Sequence, residues 1–215
     1  MKSKKLISFF SILSFIVPFI TVTICYYILI NNTSLETFPF IDGKISISYL
    51  GRQELTIKIF KTGMLLFILI SFFFYFYISN FFQKNKFENR LKTFGIIANF
   101  FLEIYIFTIG NNSELYNILR KLGITLYIIT MYINHIYTIK LLKKTNKFKF
   151  NNLSLNILFI IVIIMTGLII IGSPWIISTF EHAHSHQMKN IVEWNYFLLM
   201  VSFYVPVSLL FYKLD

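Results

Sequence analysis

Cysteine is nearly missing from this chain. Cys25 stands alone among 215 residues, which excludes an internal disulfide framework and a cysteine-based metal knuckle. Charge is scarce too. Asp, Glu, Lys and Arg make up 13% of the residues, where soluble domains carry roughly 25%. Acidic residues are fewest of all, nine against twenty basic, for a net charge of +11. No glycine-rich phosphate loop, G-x-S-x-G or H-E-x-x-H motif occurs. No internal repeat or separate soluble segment interrupts the chain, so residues 1–215 read as one domain.

What fills the chain instead is apolar: 56% of its residues are hydrophobic, and Phe (26) and Tyr (13) are abundant. These residues fall into six long blocks, approximately 6–30, 62–82, 93–110, 122–142, 153–172 and 191–212. Each approaches the roughly 20 residues a helix needs to cross a bilayer core. Strand-like alternation is missing from the blocks, which argues against a barrel. The expected fold is therefore all-α, an integral membrane bundle of six transmembrane helices. The first block follows Lys2, Lys4 and Lys5 as a signal peptide would. It is too long for a signal h-region, and no small-x-small cleavage site follows, so it reads as a retained span.

Basic residues orient the spans. The N-terminus, the 83–92 loop, the 140–149 region and the C-terminus together hold thirteen Lys or Arg; the opposite loops hold the other seven. Both termini are thus expected in the cytoplasm. With that orientation the net charge is a matter of topology, and no nucleic-acid partner is expected. The longest connection, residues 31–61, falls outside. It carries the turn residues Pro39, Asp42-Gly43 and Gly51, and alternation over Lys44–Tyr49 suggests a short strand or extended segment. Asn31-Asn32-Thr33 and Asn111-Asn112-Ser113 match the glycosylation pattern, but in so Asn-rich a chain chance explains them better.

A few polar residues stand inside or at the edge of the spans. Glu103 lies in span three, His135 beside Asn134 in span four, and Glu193 about a turn inside span six. A buried carboxylate must pair, bond or become neutral. Interhelical hydrogen bonding is the plain reading of Glu103 and His135. More polar groups converge on Glu193. If the last helix begins near His182, then His182, His186, Asn190 and Glu193 share one face, which continues into Phe197, Met200 and Tyr204. A polar upper face above an apolar lower one suits a lipid; it also suits a bundle core. A competing reading takes His182, His184 and His186 as an extended metal site, with Glu181 nearby. The two readings need opposite local structures. Ser48, Asp42 and the histidines fall on one side, but nothing in their spacing supports a Ser–His–Asp triad. No cofactor is expected.

Three short pieces point to a family. They are Pro39-Phe40-Ile41 with Ile47-Ser48-Tyr49-Leu50-Gly51 ahead of Ile59-Phe60; Ala98-Asn99-Phe100 with Glu103; and Asn190-Ile191-Val192-Glu193-Trp194 opening the last span. In order and in span number the chain resembles the FRAG/DRAM/SFK family of six-span membrane proteins. That family includes damage-regulated autophagy modulators and a GPI-anchor lipid-remodelling Golgi protein. The chain departs from the pattern at Glu54-Leu55, where members often carry proline, and at Leu119–Gly123, where a histidine commonly precedes the glycine. The resemblance implies a protein that handles or organises membrane lipids, in a bacterial inner membrane or in Golgi, lysosomal or plasma membrane. It implies Ser48, Glu103, Arg120, His186, Asn190 and Glu193 as candidates for one exterior-facing polar pocket, without assigning a reaction. A membrane-embedded acyl or headgroup transferase or hydrolase is the alternative, and a transporter a third reading. Protein partners are not legible.

Overall fold

The structure, a computed structural model, describes residues 2–33, 37–82, 87–111, 113–144, 153–173 and 182–212. Among these there is no strand. The helices are α1 (Lys2–Thr33), α2 (Ile47–Leu50), α3 (Ile57–Phe81), α4 (Phe87–Thr108), α5 (Glu114–Lys144), α6 (Leu153–Ile171), α7 (His182–Ser202) and α8 (Tyr204–Tyr212). Six helical segments are long and apolar enough to cross a membrane, with α7 and α8 together forming the last. Each begins at or before the start of its apolar block and ends no more than two residues short of the block's end, because the helix continues once nucleated. The last is broken where the sequence suggested one piece. Pro206 has no N–H for the carbonyl of Ser202, and its ring crowds that carbonyl, so the helix parts at Phe203.

Helix pairs approach closely at small residues, as membrane bundles require. A Cβ at Gly63 of α3 would lie 2.1 Å from Thr21 Oγ1 of α1, and one at Gly123 of α5 would lie 3.0 Å from Phe101 O and Tyr105 N of α4. Short polar ties fix the pairs. Ser8 Oγ lies 2.8 Å from Ser208 Oγ, and Ser11 Oγ donates to Tyr204 O at 2.7 Å. These bonds bring the first and last helices together, so both chain ends leave the bundle at one end. Residues 37–56 sit at the opposite end, called the loop end below. Ser71 Oγ donates to Asn99 Oδ1 at 3.0 Å, tying α3 to α4. Tyr75 Oη and Tyr204 Oη are 3.1 Å apart, tying α3 to α8. The outer surface is apolar, with exposed Leu69, Phe107 and Ile163 on three different helices.

The extended segment suggested for Lys44–Tyr49 is a correction. Residues 47–50 form the single turn α2, because Ser46 is an N-cap with extended backbone (φ −97°, ψ 160°) and its side chain accepts from Tyr49 N. Upstream, Asp42 closes a tight turn. Its carboxylate accepts from Thr37 Oγ1 at 2.8 Å, Phe38 N at 2.7 Å and Lys44 N at 3.0 Å. Desolvation, the largest single influence on Asp42, raises its pKa. The amides of Lys44 and Phe38, the Thr37 hydroxyl and the Lys44 charge together outweigh it and hold the carboxyl below its ordinary value. A carboxyl depressed on folding stabilises the turn above the unfolded pKa and stops doing so as pH falls through the folded one. Asp42→Asn at neutral pH should therefore mimic strong acid. Amide exchange at Phe38 and Lys44 is expected to speed up about tenfold, and unchanged exchange at both would dismiss this role.

Candidate functional site

The last long helix holds the loop-end segment by its side chains. Asn190 Nδ2 donates to Gly43 O at 2.8 Å, Trp194 Nε1 to Ile45 O at 2.9 Å, and Asn195 Nδ2 to Phe40 O at 3.0 Å. Glu193 Oε1 accepts from Ser48 N at 3.1 Å and from Ser48 Oγ at 3.2 Å, and the carboxylate also accepts from the Ile47 amide. It thereby satisfies the first two orphan amides of α2. Trp194 is buried, edge-on to Tyr26 and Phe40 at 5.7 and 5.2 Å between ring centres. Donors and acceptors of α7 matched to acceptors and donors of residues 40–48 make this a docked lid rather than a free loop.

Tyr105 of α4 extends the arrangement. Its hydroxyl donates to Ser48 Oγ at 3.1 Å, so a chain of hydroxyls runs from Tyr105 through Ser48 to Glu193. Arg52 Nε donates to Ser48 O at 3.2 Å. Arg52 and Arg120 both lie within electrostatic reach of Tyr105, and Arg52 of Glu193 as well.

Beneath this cluster lies a cavity of about 470 Å³. Glu193, Tyr105 and Lys189 reach its wall near the loop end. Below them the wall is apolar, built from side chains such as Phe67, Leu102, Ile128, Leu168, Phe197 and Met200. The stripe read from the sequence is real in part: Glu193, Phe197 and Met200 do line one continuous wall of α7, polar above and apolar below. Tyr127 of α5 and Tyr196 of α7 also line the cavity. Both hydroxyls are buried and lack a hydrogen-bond partner among the described residues.

The six candidate residues separate. Ser48 and Glu193 meet directly. Asn190 serves the lid and does not reach the cavity wall. Arg120 is half-buried near Tyr105 and Arg52. His186 is exposed on the first turns of α7. Glu103 faces outward and does not join them. The inward face of α4 is set by Ala98, Leu102, Tyr105 and Ile109, a spacing of i, i+4, i+7 and i+11 that leaves Glu103 on the far side. Glu103 therefore makes no interhelical tie within the bundle core; Asn99 makes one instead. His135 is fully buried but neither ring nitrogen has a hydrogen-bond partner among the described residues. Its ring stacks on Phe203 at 3.9 Å. The backbone is helical from His182 onward, which removes the extended conformation that ligation by His182, His184 and His186 needed. Glu181 lies outside the described residues.

Sequence reasoning did not single out Tyr105, Lys189, Tyr127 or Tyr196. Lys189 and Tyr196 had a signal, since they share the helical face of Glu193 at i−4 and i+3. The others had none beyond an inward helical register.

Six long helices with an apolar outer surface define a multi-pass integral membrane protein. No family model, no characterised protein and no solved structure matches this chain.

Proposed function

We propose that this membrane protein handles or organises lipids by holding one amphiphile in the lidded cavity, with the loop end on the extracytoplasmic side. The observation that carries this reading is the cavity's division into a small polar end and a long apolar wall. Ligand pockets of roughly 300–1,000 Å³ with a few convergent polar groups are the usual form of small-molecule sites. A lipid matches both parts at once, head to Lys189 and Tyr105 beside Glu193, tail to the apolar wall. The excess of basic residues at the chain-end side supports the orientation, and the FRAG/DRAM/SFK resemblance supports the ligand class.

A lipid-remodelling enzyme is the second reading. The hydroxyl chain Tyr105–Ser48–Glu193 favours it, since a serine bonded to a carboxylate resembles an activated nucleophile. Ser48, however, is not on the cavity wall, and Glu193 already serves the amides of α2. Binding without chemistry accounts for more of the geometry.

The test is native mass spectrometry with lipidomics on the purified protein, Glu193→Gln and Met200→Trp. Met200→Trp fills the apolar wall and is expected to remove most of the co-purifying lipid. Glu193→Gln should alter which headgroups are retained while leaving the lid docked. Equal lipid on wild type and Met200→Trp would reject the cavity as the site.

A further inference from the structure

Helices α5 and α6 bound one side of the cavity. Helices α5 and α6 are tied at two levels. Lys143 Nζ lies 4.2 Å from the centre of the Phe159 ring near the chain-end side, and Tyr132 Oη lies 2.6 Å from Thr166 Oγ1 in mid-span. Toward the loop end from that clasp, the facing residues line the cavity instead: Ile124, Ile128 and Ile129 on α5, Leu168 and Ile169 on α6. Two of them belong to the outer surface as well, for Ile129 is 47% exposed and Ile169 is 39% exposed. A residue that is on a cavity wall and on the lipid-facing surface marks an opening between the two. From Tyr132 to Ile124 the slot is about 12 Å tall at 1.5 Å per residue. It opens at bilayer depth, while the lid is hydrogen-bonded down over the loop end.

Size and charge narrow the occupant. Small-ligand pockets measure roughly 300–1,000 Å³, and at about 470 Å³ this cavity lies in the lower part of that range. One alkyl chain suits that size better than two. At the polar end, Glu193 is engaged by Ile47 and Ser48 and acted on by Arg52. Lys189 is the cationic side chain on the cavity wall among the described residues, with Arg120 near the same end through Tyr105. These cations suit an anionic head.

We propose that a single-chain amphiphile with an anionic head enters this cavity sideways from the surrounding leaflet, between α5 and α6 above the Tyr132–Thr166 clasp. The proposal rests on the cavity being a lipid site. The ligand chemistry, one alkyl chain bearing a negative group, is common to fatty acids and lysophospholipids.

The experiment uses the full chain in nanodiscs of neutral lipid, with three probes: oleate, oleoyl lysophosphatidylglycerol and dioleoyl phosphatidylglycerol. Equilibrium binding and the association rate of each are measured for wild type, Met200→Trp, Lys189→Gln and the surface pair Ile129→Trp/Ile169→Trp. That pair narrows the slot where Ile129 and Ile169 face each other, and its folding is checked by an unchanged thermal midpoint. Wild type should bind at least one single-chain probe about tenfold more tightly than the two-chain lipid. Whichever single-chain probe binds better identifies the source. Lys189→Gln should weaken that probe about fivefold. The tryptophan pair should slow its association at least tenfold, a larger factor than any change it makes in equilibrium affinity. If the probe associates with the pair at the wild-type rate, entry is not through the slot. If the two-chain lipid binds as tightly as either single-chain probe, the occupant is wrong. In both cases the cavity reading survives. If no probe distinguishes wild type from Met200→Trp, that reading itself falls, and the sideways entry with it.

Discussion

Glu193→Ala is expected to release residues 37–56 from the bundle and to destabilise the detergent-solubilised protein by about 3 kcal/mol. The carboxylate takes two hydrogen bonds from Ser48 and one from the Ile47 amide. Bonds to a charged acceptor contribute about 1.5–3 kcal/mol each, and losing the acceptor leaves its donors unsatisfied. Alanine supplies nothing to the first two amides of α2. A one-turn helix has no internal stability to fall back on, so α2 should unwind. The readout is limited trypsinolysis. Lys44 and Arg52 lie in the lid and should be cut slowly in the wild type and at least tenfold faster in Glu193→Ala. Glu193→Gln keeps an acceptor oxygen for Ser48 N, so it should cost about 1 kcal/mol and leave cleavage near the wild-type rate. Ser48→Ala should also cost about 1 kcal/mol, because it loses the hydroxyl bonds to Tyr105 and Glu193 but keeps its own amide on the carboxylate. Wild-type cleavage in Glu193→Ala would mean that the carboxylate does not hold the lid.

This expectation depends on geometry that the sequence showed only in part. The six apolar blocks were plain because a bilayer demands length and hydrophobicity together, and both can be counted. The break at Phe203 was open to reading from Pro206, whose missing N–H acts locally. The cluster Asn190–Trp194 stood out as polar residues at the edge of a span. Its targets did not, since most are backbone groups of Gly43, Ile45, Ile47 and Ser48, and any residue type offers the same amide and carbonyl. Glu103 drew attention by its charge and by following the family-like piece Ala98-Asn99-Phe100. Its outward place follows from the register of Ala98, Leu102, Tyr105 and Ile109, a pattern partly hidden because the outward positions of α4, such as Phe100 and Phe107, are apolar too. In a membrane both faces of a helix are hydrophobic, so the contrast that reveals a buried face in water is weak. Tyr105 was obscured for the same reason, as one aromatic among many.

Gly43 offers the second large effect, by a route that leaves every side-chain donor of α7 in place. Its φ is +58°, in the left-handed region that costs other L-residues about 1–2 kcal/mol. A Cβ there would lie 2.1 Å from Gln187 O and 2.9 Å from Ile191 Cγ1. The first of these is main chain of α7 and cannot swing aside as a flexible side chain would. Gly43→Ala is therefore expected to lift the lid, at a cost of more than about 3 kcal/mol, and to lengthen the bonds from Asn190 to Gly43 O and from Trp194 to Ile45 O. Hydrogen exchange across 37–56 should rise at least tenfold, while far-ultraviolet circular dichroism keeps its helical amplitude because the six spans do not depend on the lid. Gly167→Ala is the matched control. Beyond its own helix backbone and chain neighbours, the added methyl near the end of α6 meets nothing within 4 Å, and alanine is the better helix former by about 1 kcal/mol, so it should be neutral or slightly stabilising. Combining Gly43→Ala with Glu193→Ala separates one lid from two independent contacts. If both act by undocking the same segment, the second substitution has little left to break, and the double variant should be less destabilised than the sum by at least about 1 kcal/mol. Full additivity would mean that Gly43 and Glu193 hold different parts of the chain, and the picture of a single stitched lid over the cavity would have to be given up.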